Sequence, residues 1–184
     1  MWSDDELYSR FMNGDVPSYD ELMIRHGDGL ILYLNGYLHN WQDAEDLMIE
    51  AFARIMVKKP SIGAGKFKAY LYKTARNLAA RFHERGKRAE VFSLDGMDAE
   101  IADQKHVDQK LQEDERKKIL HLCMERIDPQ MAEALWLVYF EDMSYAQAGM
   151  VMNVSTKKID HLLEKGKKKL KAELEKEGIT NAYE

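Results

Sequence analysis

The stretch from Ser144 to Ile159, Ser-Tyr-Ala-Gln-Ala-Gly-Met-Val-Met-Asn-Val-Ser-Thr-Lys-Lys-Ile, constrains the fold more tightly than any other part of the chain. It reads as helix, tight turn, helix. Ser144 is placed to cap a helix N-terminus, and Gln147, three residues on, can reach back to close a capping box. Asn153 suits a left-handed turn position, because asparagine tolerates positive φ. Ser155 then caps the second helix. Ile159, Leu163, Gly166 and Leu170 recur at helical spacing and face inward, while Lys157, Lys158, His161 and Lys165 project outward. A helix-turn-helix offers its second helix to the DNA major groove in this way.

Charge distribution supports a nucleic-acid partner where net charge does not. The chain carries a formal −5 over 184 residues. Residues 66–88 nevertheless hold eight Lys or Arg against one Glu, and residues 157–171 hold seven Lys against Asp160 and Glu164. The stretch 90–115 is the opposite, with nine Asp or Glu and two Lys. Surface fields decay over about 8 Å at physiological salt, so local patches decide phosphate binding. A Lys-rich helix face can also be plain solvated surface, and either patch alone is compatible with that.

Apolar residues make up 45% of the sequence with only three prolines, and their spacings of three and four predict an all-α protein. The expected organisation is two small helical domains joined by a flexible acidic linker: residues 1–88, a tether over 89–110, and a helix-turn-helix domain over 111–184. In the first domain, one helix carries Leu7, Phe11 and Met12. A second carries Tyr19, Leu22, Met23, Leu30, Ile31, Tyr33 and Leu34. A third runs from near Asp43 to about Val57, with Leu47, Ala51, Phe52 and Ile55 inward, and residues 58–65 form a loop. A long fourth helix over 66–88 turns Phe67, Leu71, Ala75, Leu78 and Phe82 to the core. After the tether, one helix carries Ile119, Leu120, Cys123 and Ile127. The next, started by Asp128-Pro129, carries Met131, Leu135, Val138 and Tyr139. The lone Cys123 excludes an intramolecular disulfide, and no run approaches the ~20 apolar residues that span a bilayer, so a cytoplasmic protein is expected.

Two further constellations carry chemistry. Asp43, Asp46 and Glu50 open the third helix near one face; first-turn acids are stabilised by the helix dipole at about 0.3–1 kcal/mol each, and they can also dock a basic partner. On the fourth helix Lys73, Asn77 and Arg81 are spaced by four beside Arg76, with Tyr70 and Tyr72 flanking them. Positive charge tracks phosphates and aromatic faces stack on exposed bases, which is single-strand capture. Asn77 adds a paired donor and acceptor able to read an adenine edge. Catalysis finds no support. The six histidines have no metal-ligand spacing with Cys123, Gly63-Ala-Gly65-Lys66 lacks the spacing of a phosphate loop, and no cofactor is expected.

With both halves in view the chain resembles the extracytoplasmic-function type of bacterial RNA polymerase sigma factor. Asp43-Ala-Glu-Asp-Leu-Met-Ile-Glu-Ala-Phe52 looks like that family's polymerase-binding helix. Phe67-Lys-Ala-Tyr-Leu-Tyr-Lys-Thr-Ala-Arg-Asn-Leu-Ala79 is similar to its −10 recognition helix. Ile127 to Leu170, including Tyr139-Phe-Glu-Asp-Met-Ser-Tyr145, looks like its −35-binding domain. The resemblance implies that Asp43, Glu45, Asp46, Leu47 and Glu50 bind core RNA polymerase. It implies that Lys68, Tyr70, Lys73, Arg76, Asn77 and Arg81, with the 58–66 loop, hold the −10 strand. It implies that Ser155, Lys157, Lys158, His161 and Lys165 meet −35 promoter DNA. An anti-sigma factor is the expected regulator. The chain departs from the family at Asp160 and Leu162, where basic residues are usual, at Gly166, where alanine is, and at Tyr70, where tryptophan is common. The alternatives are a sigma mimic that binds an anti-sigma factor as a decoy, and a helix-turn-helix regulator acting alone.

Overall fold

The computed structural model describes residues 1–86, 92 and 110–179. The expected tether, 89–110, lies outside the described residues except for Phe92 and Lys110, as do most of the acidic run and the basic pair Lys87 and Arg88.

Among the described residues the ordered structure is helical. Helix α1 spans Asp4–Met12 and is started by a capping box between Ser3 and Glu6. Helix α2, Val16–Leu38, carries Pro17 in its first turn and ends on a left-handed His39. Asn40 caps α3, Trp41–Lys58, by accepting from the Asp43 backbone N–H at 3.1 Å. A loop over 59–66 leads into α4, Phe67–Gly86. These four helices enclose Tyr19, Tyr33, Tyr72, Phe52, Phe67, Leu22, Leu30, Leu34, Ile55 and Leu71, all fully buried. Each such side chain contributes about 1.5–3 kcal/mol relative to exposure. The Tyr19 hydroxyl donates to the Phe52 carbonyl at 2.6 Å, so this aromatic core leaves that polar atom satisfied.

The second domain holds α5 (Lys110–Glu125), α6 (Pro129–Leu135), α7 (Tyr145–Met152) and α8 (Thr156–Lys176). The helix-turn-helix forms as its residues require. Ser144 and Gln147 close the capping box, Asn153 turns left-handed at φ 57°, and Ser155 accepts from the Lys158 N–H. Gly166 is a packing requirement, because an added Cβ would stand 3.2 Å from Leu135 Cδ1 and 3.3 Å from Met131 Cβ. Its helix-propensity cost of ~1 kcal/mol is exchanged for close approach of α6 to α8.

Two inward assignments fail, and one apolar residue of the first helix also reaches solvent. Met12, Phe82 and Tyr139 are 41%, 42% and 49% exposed. Met12 and Phe82 lie near helix ends, where the periodic stripe has run past the core. Tyr139 has a different cause: α6 continues as a π-helical turn over Trp136–Phe140, closed by the Glu141 N–H bonding to the Trp136 carbonyl. The wider turn carries Tyr139 off the buried face, where Lys167 sits over its ring. Cys123 is free and buried as expected, though its neighbour Leu122 is exposed.

The two domains touch. Helix α4 packs along α7, and α2 and α4 together receive Glu133 from α6 and Glu141 from just after the π turn. Phe92 also seats between Tyr33 and Tyr37 of α2, with ring centroids 5.8 and 5.1 Å away.

Candidate nucleic-acid interface

Helix α4 carries two polar stripes that its sequence does not separate. The first is Lys68, Tyr72 and Arg76, spaced by four. The second is Tyr70, Thr74, Asn77 and Arg81, with Lys73 beside it.

The second stripe borders an open cleft of about 190 Å³ between α3 and α4, lined by Arg54, Ile55, Lys58, Tyr70, Thr74, Asn77 and Arg81. Asn77 and Arg81 are exposed, and Tyr70 and Lys73 half-buried. Arg54 and Lys58 come from α3, and the resemblance did not bring them forward. Their sequence signal is the pairing of Arg54 with Lys58 at i,i+4, next to the loop. Arg54 is held in place by Glu50, whose Oε1 accepts from its Nη2 at 2.6 Å. Three cations, an amide and an aromatic ring therefore converge on one groove. That set suits a polyanion with exposed bases.

The 59–66 loop at the head of α4 is ordered by α1. The Tyr8 hydroxyl donates to the Pro60 carbonyl at 2.8 Å, and the Gly65 N–H donates to Asp5 Oδ2 at 2.6 Å. Between loop and helix lies a hollow of about 350 Å³ walled by Tyr8, Met12, Pro60, Ile62 and Phe67, with Asp5 and Ser9 also lining it.

The first stripe of α4 is engaged by the second domain. Glu133, 2% exposed, accepts at Oε1 from the hydroxyls of Tyr33 (2.7 Å) and Tyr37 and from Arg76 Nε (2.8 Å). Burial would weaken the charge on Arg76, but the hydrogen bond and charge of Glu133 hold it more firmly protonated than usual. Burial and the same carboxylate push the Tyr33 and Tyr37 phenols well above their ordinary value, so they remain donors. Glu141 makes the matching contact lower on α4. Its Oε2 accepts from the Tyr72 hydroxyl at 2.6 Å and lies 3.0 Å from Lys68 Nζ, which also donates to the Glu141 carbonyl at 2.6 Å. Thus Lys68 and Arg76, expected on DNA, are here paired with carboxylates of the other domain. Tyr72, expected to flank the basic surface, is fully buried.

The acidic face of α3 is partly as expected. Asp46 is exposed, and Asp43 sits in the first turn next to the Asn40 cap. Glu45 accepts from the Trp41 indole N–H at 3.0 Å, and Glu50 is committed to Arg54. Leu47 is buried in the core and cannot be a surface contact in this conformation. It supports the face from behind.

Helix α8 presents the other basic surface. Lys157, Lys158, His161 and Lys165 are all exposed, and Ser155 is spent on the cap. Asp160 is exposed among them. Leu162 is 3% exposed and packs inward, so its lack of charge removes nothing from a groove-facing surface. No helix among the described residues is long and apolar enough to cross a membrane, and no group of three or more His, Cys, Asp or Glu there is placed to hold a metal ion.

Comparison with known proteins matches these two halves separately and in order. Residues 22–89 match sigma-70 region 2, and residues 117–170 match sigma-70 region 4. The chain is 29% identical to the ECF RNA polymerase sigma factor SigM of Bacillus subtilis, over 91% of its own length and 93% of that protein's. It is 24% identical to the ECF RNA polymerase sigma factor SigE of Mycolicibacterium smegmatis, covering 91% of itself but 65% of SigE, slightly less than two thirds. Its fold is similar to that of CnrH, in a structure solved with the cytosolic domain of CnrY, with a TM-score of 0.65 at 20% identity over 94% of this chain and 97% of that one. It is also similar to RpoE of Bartonella quintana, in a complex with the anti-sigma factor NepR, with a TM-score of 0.60 at 17% identity over 85% and 96%. A region 2 with its cleft on α4, followed by a region 4 with its helix-turn-helix, makes this chain a member of the extracytoplasmic-function group of sigma-70 factors.

Proposed function

We propose that this chain gives core RNA polymerase its promoter specificity and initiates transcription at a defined set of promoters. The observation that carries the reading is the pairing of two different DNA surfaces in one chain. One is a cleft that joins cations to an amide and an aromatic ring, and the other is a capped recognition helix with an exposed basic face. The cleft is suited to a separated strand and the helix to a duplex groove.

That geometry supports the following division of labour. Residues 1–88 engage polymerase and the −10 element, residues 111–184 the −35 element, and 89–110 join them. Asp43, Glu45 and Asp46 form the polymerase-facing patch, with Glu50 orienting Arg54. Lys68, Tyr70, Lys73, Arg76, Asn77 and Arg81 form the strand path, to which Arg54 and Lys58 add charge. Lys157, Lys158, His161 and Lys165 meet the −35 duplex. Glu50, Leu47, Ser155 and Tyr72 act as supports. The sigma family is not an enzyme family, and we assign this chain no catalytic step. The likeness to RpoE, solved with an anti-sigma factor, supports control by an anti-sigma partner, and a polymerase partner fits a cytoplasmic protein. Leu162 is buried, so its lack of charge takes nothing from the DNA-facing surface and gives no support to a decoy.

Reconstitution with core polymerase and a randomised promoter library tests the reading. Transcripts enriched for two sequence blocks at a fixed spacing are expected; no enrichment, with intact binding to core, would leave the decoy as the better account.

A further inference from the structure

Resting on that reading, we propose that Glu133 and Glu141 form a polar latch that holds the free protein closed and keeps Lys68 and Arg76 from the promoter strand until the domains part. The latch is chain chemistry standing in for a nucleic acid: two carboxylates occupy two cations of α4, one helical turn on either side of Tyr72. A third tie lies at the head of α4, where the Gln147 side-chain amide donates to the Gly65 carbonyl at 2.7 Å while its Oε1 completes the Ser144 capping box. The second domain is therefore attached along α4 from its leading loop to Arg76.

The scaffold accommodates these contacts at specific places. In a continuous α-helix residues eight apart point roughly 80° from one another. The π turn between Glu133 and Glu141 lessens that divergence, so one surface can present both carboxylates. On the receiving side Gly29 of α2 leaves the space: a Cβ there would stand 2.9 Å from the Tyr72 hydroxyl and 3.2 Å from Glu141 Oε2. Gly36 does the same for Phe92, whose Cε2 would be 2.5 Å from an added Cβ. Two mid-helix glycines, each a local cost to α2, thus sit against the docked side chains.

The closed form cannot span a promoter. The −10 and −35 elements lie ~25 base pairs apart, roughly 80 Å at about 3.4 Å per pair, whereas α4 and α7 are in contact. Opening is obligatory. A latch of ion pairs and phenols suits a reversible closure, because its separated groups regain water and the net cost of parting them is small. The closure is also one-sided. It pairs cations on α4 but leaves Lys157, Lys158, His161 and Lys165 of α8 exposed.

The test uses the full chain with two readouts, small-angle scattering for size and a fluorescein-labelled single-stranded 20-mer of mixed sequence for strand binding. Glu133→Gln with Glu141→Gln is expected to enlarge the radius of gyration and tighten 20-mer binding at least fivefold. Raised salt is expected to enlarge the wild-type protein towards the variant. Gly29→Ala reaches the same end from the other domain: it favours helix, preserves every cation, and is expected to expand the chain too. Circular dichroism identifies folded variants. If no folded variant expands, the latch is overturned. Expansion without tighter strand binding overturns the occlusion. Lys73→Ala separates the two readings: weaker strand binding there, without expansion in the latch variants, refutes the latch alone. No effect from Lys73→Ala removes the strand assignment of α4 as well.

Discussion

The basic faces of α4 and α8 look alike as sequence and differ as structure. Both are lysine- or arginine-rich helices with a regular apolar face. On α8 the four expected DNA cations or donors all reach solvent, and Asp160 sits among them. On α4 the cations divide. Lys68 and Arg76 are paired with Glu141 and Glu133, while Arg81 is exposed and lines a cleft completed by Arg54 and Lys58 of α3. Local charge therefore identifies where a polyanion can bind, but not which cations the protein has already neutralised with its own carboxylates. That second property belongs to tertiary structure.

The largest expected effect breaks the comparison at Glu133. Glu133→Ala leaves Arg76, Tyr33 and Tyr37 without the carboxylate that accepts from them; removing one partner of a fully buried pair costs about 3–5 kcal/mol, and the part-exposed Arg76 sets this loss towards the lower end. Faster hydrogen exchange across α6 and the Tyr33 turn would register the loss; unchanged exchange would mean the network contributes little to docking. Within the cleft, Asn77→Ala is expected to alter preference at one −10 position by ~1–3 kcal/mol, whereas Lys73→Ala weakens all sequences alike. Binding to a panel of single-base variants distinguishes them, and a uniform loss from Asn77→Ala would exclude base reading. On α8, Asp160→Lys is expected to strengthen −35 duplex binding and steepen log affinity against log salt by about one unit. Should it instead shift preference away from a cytosine-containing site, Asp160 is itself an acceptor for a base. The smallest effect lies away from both faces, at the anchor of α1. Burial raises the Asp4 pKa, but the hydrogen bonds and charges of His26 and Arg25 outweigh it and hold the carboxyl below its ordinary value. A depressed acid stabilises the fold above its unfolded pKa of about 3.9, and that contribution is lost as pH falls through the lower folded value. Partial solvent exposure keeps it modest. Acid unfolding of wild type should therefore carry a component that Asp4→Asn lacks, and coincident acid transitions would contradict it.

Much of the fold was legible because it rests on local chemistry. The Ser144–Gln147 box, the left-handed Asn153 and the Ser155 cap each depend on residues within four positions of one another. The apolar stripes placed most of the core for the same reason. What escaped depends on distant partners. Tyr72 reads as a surface aromatic until Glu141, 69 residues away, accepts its hydroxyl. Leu162 reads as a missing cation until the position is seen to face the core. The π turn has no propensity signature in Trp136–Phe140, and it displaced Tyr139. One signal was present and unused: Glu133 lies inside the apolar run Met131-Ala-Glu-Ala-Leu-Trp-Leu137, where a buried charge requires a partner. Searching for that partner leads to Tyr33, Tyr37 and Arg76.

The separation of the two domains is the most direct measure of the account. Spin labels on Val57→Cys and Glu175→Cys, both exposed positions outside the assigned contacts, report it by pulsed electron resonance, with Cys123 left buried. Free protein should give one narrow distance that lengthens in the Glu133→Gln and Glu141→Gln variant. Bound to core polymerase on a promoter recovered from the library, it should lengthen by several tens of ångströms, as elements roughly 80 Å apart require. The same distance in the free and promoter-bound protein would contradict the account.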